Sequence, residues 1–483
     1  MHSIDVIVVG SGPNGMAAAV TMARAGLSVR VYERNPSIGG GARTAELTLP
    51  GFRHDVCSAV HPMALASGFF QKFQLHRRME LVVPEVSYAH PLDGGRAGIA
   101  WRDLERTAEG LGRDGAAWRT LFAPLVEHAA EVAQFTGSSV LQLPRHPVTA
   151  ARLGVRILEQ GSQAWNLRFT GEEAPAMLTG VNAHSIRPMP SLSTAAVGLV
   201  LATHAHARGW PIPVGGSQSI IDVMADDLRA HGGEIVTDTE ITALAELPRS
   251  RAVILDVSAR ALARIAGAAL PERYVRSLQR FRYGNAAAKV DFALSDPVPW
   301  ANEQVRAAGT VHVGGTRTEL AASEAEVAAG RHPLSPYVLA SQPTLFDPTR
   351  APDGAHTLWA YTHVPAGSTM DPTEAVTAQL ERFAPGFRDT ILASTSQNAV
   401  QMEAYNPNYI GGDIAAGEPS LRQLIARPVL RPDPWRTPGK GIYLCSSSTP
   451  PGPGVHGLPG YYAARSALAD EFGMTTPPRL GQD

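Results

Sequence analysis

Cysteine is nearly absent from this chain: Cys57 and Cys445 are the only two, far apart and in no C-x-x-C pattern. That excludes a disulfide scaffold and a dithiol-relay redox enzyme, and it argues against a zinc site. Lysine is scarce too, at Lys72, Lys289 and Lys440 alone, with arginine carrying the rest of the positive charge. The 42 basic and 44 acidic residues leave a net charge of −2. No basic run appears, so nucleic acid is not an expected partner. Long hydrophobic runs are missing as well. The most apolar internal stretch, Ala195 to Ala202, is too short to span a bilayer and reads as a buried helix segment. No basic segment precedes the first apolar run, so no signal peptide is read and a cytoplasmic protein is expected. No internal repeat occurs. The 483 residues, 44% of them hydrophobic, are enough for two or three folded units.

What is present begins at the N-terminus. Ile4 and Val6 to Val9 form an apolar run of one buried strand's length, followed by Gly10, Gly12 and Gly15 as G-x-G-x-x-G. Small residues at Ala17, Ala18 and Ala19 let a helix lie close to the sheet, Gly26 ends it, and Val29 to Tyr32 give a second strand closed by Glu33. Each part has a physical role in holding a dinucleotide. Gly10 makes the tight turn, Gly12 admits a pyrophosphate to the backbone, and Gly15 permits close helix–strand packing. The helix N-terminus offers positive potential to the phosphates, and Glu33 can accept hydrogen bonds from ribose hydroxyls. Either FAD or NAD fits this unit.

Gly39-Gly40-Gly41-Ala42-Arg43-Thr44 follows, then Gly51-Phe52-Arg53-His54-Asp55. The glycines allow backbone near a ligand, and Arg43 can reach a phosphate oxygen through a forked charge-assisted bond. His61, after Cys57-Ser58-Ala59-Val60, is a candidate for the cofactor's vicinity. Between Arg102 and Ala207 helix-like segments alternate with proline-bearing loops. His184, His204 and His206 lie near apolar helical sequence there, and no further ligands accompany them, so no metal is expected. The nucleotide-domain texture returns at Pro213-Val214-Gly215-Gly216-Ser217, where Ser217 or Ser219 can cap a helix running to about Ala230. Glu234 to Val236 reads as a strand, with Thr239 to Thr242 close behind, and Ala252 to Asp256 as another. This segment thus rebuilds the parallel sheet begun at the N-terminus and itself lacks a G-x-G-x-x-G.

Ala287 to Leu294 alternates as a strand with one face buried. Lys289 within it is either a salt-bridged surface residue or one directed into a cavity. Tyr337 to Ser341 and His356 to His363 suggest a sheet flooring a pocket, and Asp371 can cap a helix running to about Phe383. Near the C-terminus a strand through Leu444 leads into Pro451-Gly452-Pro453-Gly454-Val455-His456-Gly457-Leu458-Pro459-Gly460 and a helix rich in alanine. That helix start could face the pyrimidine end of a flavin and stabilise the negative charge of its reduced form. The fold class expected is α/β, a discontinuous Rossmann-type domain (1–95, 208–275, 431–483) with an α+β substrate domain of mixed sheet and helices (96–207, 276–430).

With these motifs in place the chain resembles flavoproteins of the amine oxidase and phytoene desaturase superfamily over essentially its full length. The resemblance implies noncovalent FAD, its adenine end at Glu33, Arg34 and Ile241. It implies pyrophosphate contacts at Gly12, Pro13, Asn14, Gly15 and Arg43, with Gly40, Gly41 and Ala42 alongside. Ser58, His61 and Ser447 are carried over as further cofactor contacts, and Gly454, Val455, His456 and Gly457 as the flavin end. Gly41 stands where many relatives carry Arg, and Ser446 where they often carry Gly. Lys289 is similar in placement to the lysine that holds a water at flavin N5 in amine oxidases, so Lys289 and His456 are the catalytic candidates.

The function expected is hydride exchange between flavin N5 and a hydrophobic small-molecule substrate such as a polyene or lipid, by desaturation, saturation or isomerisation. Amine oxidation and a non-catalytic flavin-binding interaction protein are the alternatives. With no second nucleotide domain, reoxidation is expected to fall to oxygen, a quinone or another acceptor. Peripheral membrane contact and a homodimer are the remaining expected associations.

Overall fold

A computed structural model describes residues 4–482. Its first sheet has five parallel strands in the order Ile442–Leu444, Ala252–Leu255, Val6–Val9, Val29–Tyr32, Glu234–Val236. Val6–Val9 is central and wholly buried, as a continuous apolar run requires when both faces of a parallel sheet are covered. Helix Pro13–Arg24 lies on one face and packs against the C-terminal helix Leu458–Phe472. Only small residues allow that approach: a Cβ on Gly460 would stand 1.8 Å from the carbonyl oxygen of Asn14, and one on Gly457 2.8 Å from Cβ of Ala17. The first and last motifs of the sequence are therefore in direct contact.

The second sheet has seven strands in the order Ile391–Gln397, Ala286–Leu294, His356–Val364, Val338–Ser341, Ala308–Val313, Val86–Pro91, Ala97–Trp101. All pairs are antiparallel except Ala308–Val313 with Val86–Pro91. One face packs Val290, Phe292 and Ala360 against Val376, Leu380 and Phe383 of helix Thr373–Phe383. The other carries Thr310, Leu339, Trp359 and Tyr361 toward the centre of the molecule. Helices between residues 104 and 207, ending with Leu192–Ala207, close over this face around Trp118, Phe122 and Trp210. The α/β class with a Rossmann-type sheet and a separate mixed sheet is as expected.

Several local expectations change. Val86–Pro91, inside the expected first nucleotide segment, belongs to the mixed sheet. Ala286–Leu294 is buried on both faces, because its polar side is covered by a charge network described below. Residues 239–242 form a loop, tied by the Thr239 amide to the Glu33 carbonyl at 2.8 Å. Ser217 occupies the N-cap position of helix Gln218–Ala230 but caps nothing; its hydroxyl donates to the Ser58 carbonyl. Asp371 lies one residue outside the N-cap of its helix, where Oδ1 accepts from the Thr373 amide at 2.9 Å. Among the described residues no helix is long and apolar enough to cross a membrane.

Candidate functional site

A cleft of about 780 Å³ runs between the two sheets. Its nucleotide wall starts at Gly10 and Gly12, where the chain turns from the first strand into the first helix. A Cβ on Gly12 would lie 2.8 Å from Oδ2 of Asp256, and one on Gly40 2.9 Å from Cα of Gly12. Gly40 itself has φ +55°, and a Cβ on Gly41 would meet the Tyr409 hydroxyl at 2.2 Å. Two bare stretches of backbone therefore pack directly on each other and on Asp256 and Tyr409 along this wall of the cleft, leaving no room for side chains. A pyrophosphate needs such a cradle, and the residues present fit one.

Glu33 closes this wall. Its Oε2 accepts from the Ser11 amide at 3.1 Å and the Ser11 hydroxyl at 2.6 Å. Its Oε1 accepts from the Asn35 amide and Nδ2, both at 2.9 Å, and from Nη2 of Arg43 at 3.2 Å. Arg43 also donates to the carbonyls of Ser37 and Ile38 and lies over the Tyr405 ring. The arginine expected to grip a phosphate is thus a buried brace between the acid and its loop, although it still lines the cleft.

Most of the other expected cofactor contacts line the same cleft. Pro13, Asn14, Arg34 and Ile241 do so beside Glu33, and Ser58, His61, Ser447, Gly454, Val455 and His456 elsewhere along it. Three do not, for steric reasons. Gly15 is pressed against the first strand, where a Cβ would lie 2.0 Å from the Gly10 carbonyl; Ala42 is in the core; and Gly457 meets Ala17 and Phe69. They act by packing.

The two histidines expected as cofactor contacts, His61 and His456, are held as fixed, neutral braces. His61 donates from Nε2 to the Ser217 hydroxyl at 2.8 Å, because that hydroxyl already spends its proton on the Ser58 carbonyl. His456 accepts the Leu458 amide at Nδ1, 3.2 Å away, while its ring covers Gly454 and its carbonyl accepts from the Ser67 hydroxyl at 2.6 Å. Burial pushes both pKa values down to about 4. His456, expected as a cofactor contact and a catalytic candidate, lines the cleft and shapes the Pro/Gly loop.

Lys289 departs further. It is 2% exposed, is not among the residues lining the cleft, and donates to Asp291. Asp291 also lies 3.5 Å from Nδ1 of His54, and Arg350 pairs with Asp55 at 2.8 Å beside them. Asp55 in turn accepts the Ser217 amide at 2.8 Å and the Thr44 hydroxyl at 2.7 Å. The RHD and GGS motifs meet here, so this network fastens the nucleotide sheet to the mixed sheet and uses Lys289 to neutralise buried charge. His206 is likewise structural, accepting from Trp118 Nε1 at 3.1 Å. Among the described residues no group of His, Cys, Asp and Glu is arranged for a metal.

Sequence reasoning missed two sets of residues. Asp256 lines the cradle and accepts the Gly15 amide at 2.9 Å; burial, with Glu33 adding to it, raises its pKa to about 7. Its signal was position: it follows the strand next to the fingerprint strand. The second set is aromatic. Trp210, Trp359, Tyr361 and Tyr409 line the cleft, Trp359 and Tyr361 edge to face with centroids 5.3 Å apart. Alternation through Leu358-Trp359-Ala360-Tyr361 could have found that pair.

Fold and cradle together define a protein with a Rossmann-type dinucleotide-binding unit and the two-sheet fold of the amine oxidase structures. Residues 8–73 match the NAD(P)-binding Rossmann-like domain family. The chain is 24% identical to pyridine nucleotide-disulfide oxidoreductase domain-containing protein 2 of Rattus norvegicus, over 96% of this chain and 93% of that protein. Among solved structures it is similar to a triple mutant of putrescine oxidase redesigned in cofactor binding, with TM-score 0.61 and 17% identity over 97% of this chain and 99% of that one. Cyclohexylamine oxidase from Brevibacterium oxydans gives TM-score 0.55 and 17% identity over 98% and 100%. The expected resemblance to amine oxidase-type flavoproteins is met in fold.

Proposed function

We propose that this chain oxidises, reduces or isomerises a hydrophobic small molecule, of polyene or lipid character, with FAD as its cofactor. When bound, FAD supplies a hydride acceptor or donor at N5. The observation that carries this reading is the division of the cleft. Every charged side chain lining it among the described residues comes from outside the mixed sheet and helix Leu192–Ala207. That helix presents Ala196, Val197, Val200 and Leu201, and the sheet opposite presents Leu339, Trp359 and Tyr361. Such a chamber binds by excluding water from apolar surface, and a charged ligand would lose its hydration there without compensation. The returning nucleotide segment, residues 208–275, carries no G-x-G-x-x-G of its own, so oxygen or a quinone is the proposed electron acceptor. The test is anaerobic: a lipid or polyene fraction should bleach the bound flavin without NADPH, or reoxidise it after chemical reduction. Failure of every lipid class in both directions, with no isomer formed on incubation with the oxidised or reduced flavoprotein, contradicts the reading.

Peripheral contact with a lipid surface belongs to this proposal. Val140 lines the cleft and is itself exposed, and Leu141, Leu143, Val148, Val155 and Leu158 are exposed in the segment that follows. Flotation with liposomes, lost in Leu143→Glu/Val155→Glu, supports it; a homodimer that covers the same face is the other outcome, read by sedimentation. Amine oxidation is the second reading, favoured by the Trp359–Tyr361 pair. Peroxide release on an amine panel tests it.

A further inference from the structure

The uncharged wall of the cleft is interrupted by polar groups with unmet hydrogen-bonding capacity. His184 is half-buried and opens on to the cleft, with Nε2 2.8 Å from Nε2 of the fully buried His312. One of these nitrogens donates and the other accepts, so the pair shares a single proton between two neutral rings. Burial keeps them neutral: the pKa of His184 is pushed down to about 3 and that of His312 well below its ordinary value. Thr310 lies two residues from His312 on the same face of its strand and lines the cleft; the residue is 1% exposed, and its hydroxyl finds no hydrogen-bond partner among the described residues. Nε1 of Trp359, two strands away on the same face, is likewise without one. Trp210 packs edge-on against both His184 and His312, so the imidazoles cannot swing away.

Donors and acceptors left unpaired in an apolar wall cost free energy that a ligand with the matching group recovers. The charge balance selects that group. No carboxylate stands on this wall to meet an ammonium, and neutral imidazoles in a dry site do not hold a carboxylate. We infer that His184 and Thr310, with Trp359 Nε1, form a subsite for an uncharged oxygen function, a carbonyl or hydroxyl, on an otherwise hydrophobic substrate. The inference rests on the apolar-chamber reading and narrows it: an unfunctionalised hydrocarbon would leave these groups unsatisfied.

The test uses the purified FAD-loaded protein and the fluorescence of its cleft tryptophans, titrated with a long-chain 1-alkene and with the methyl ketone and primary alcohol of the same length. The oxygenated ligands should bind about tenfold tighter or more, one well-made hydrogen bond's worth. His184→Phe and Thr310→Val should each remove most of that preference while leaving alkene affinity and FAD content unchanged. Thr310→Val, nearly isosteric, carries the test if His184→Phe does not fold. Equal binding of alkene and ketone by the wild type, or a preference that survives both substitutions, overturns the inference alone. Failure of all three ligands to bind overturns the apolar-chamber reading as well.

Discussion

The two walls of the cleft are built by opposite rules. The nucleotide wall is backbone and charge: bare glycines at 10, 12, 40 and 41, with Glu33, Arg43 and Asp256 arranged around them. The mixed-sheet wall is side chain without charge, contributed by Thr310, Leu339, Trp359 and Tyr361 from three strands. A wall made of backbone tolerates almost no added atom but is indifferent to distant side chains. A wall made of side chains tolerates substitution and owes its character to what each residue is. The charge network of Lys289, Asp291, Asp55 and Arg350 lies between them and belongs to neither.

The sharpest way to break this contrast is to add atoms where the C-terminal helix packs on the helix behind the backbone wall. Gly460→Val drives a side chain into the Asn14 carbonyl and should cost more than about 4 kcal/mol, enough to abolish folding or FAD loading. Soluble expression and flavin content report it. Next is the joint. Lys289→Met strands the buried Asp291 carboxylate and should destabilise the protein by about 3–5 kcal/mol. Thermal unfolding should recover partly in the Lys289→Met/Asp291→Asn double variant. A Lys289→Met protein of unchanged melting temperature that has lost turnover would instead return Lys289 to the reaction.

The third prediction concerns charge on the backbone wall. Asp256 has its folded pKa raised to about 7, so the folded protein holds a proton there that the unfolded chain releases near the ordinary carboxylate value. Its contribution to stability is therefore fullest at low pH and falls as pH rises toward and through 7. An ionised Asp256 also repels a pyrophosphate. ADP affinity, measured by calorimetry, should weaken by up to about tenfold per pH unit above 7, and Asp256→Asn should flatten that slope. The smallest effect is expected at Ser217→Ala, which removes the bridge from His61 to the Ser58 carbonyl for about 1–2 kcal/mol, a melting shift of a few degrees with flavin content unchanged.

The same contrast explains what could be read from the sequence. The nucleotide wall is local: strand, glycines, helix and acid fall within residues 6–33, and their spacing is their geometry. The C-terminal Pro/Gly motif was legible for a similar reason, since Gly457 and Gly460 are defined by what they exclude. The other wall is assembled from residues between 184 and 361 by sheet pairing, and nothing in the neighbourhood of Thr310 or His184 marks it as facing a cleft. Lys289 misled because alternation placed it correctly on the inner face of its strand but could not reveal Asp291, His54 and Arg350 gathered beside it. Ser217 misled in the same way: its position suits a helix cap, yet His61, far away in sequence, sets what its hydroxyl does.

The central claim is that one wall holds FAD and the other an uncharged, largely apolar ligand. Mass spectrometry of the purified protein after denaturation tests it most directly, by identifying the released chromophore and whatever co-purifies. FAD released intact at about one per chain, with any accompanying ligand partitioning into organic solvent, is the predicted result. A protein that carries no flavin and takes none up, or one whose only ligands are charged and water-soluble, would contradict the account.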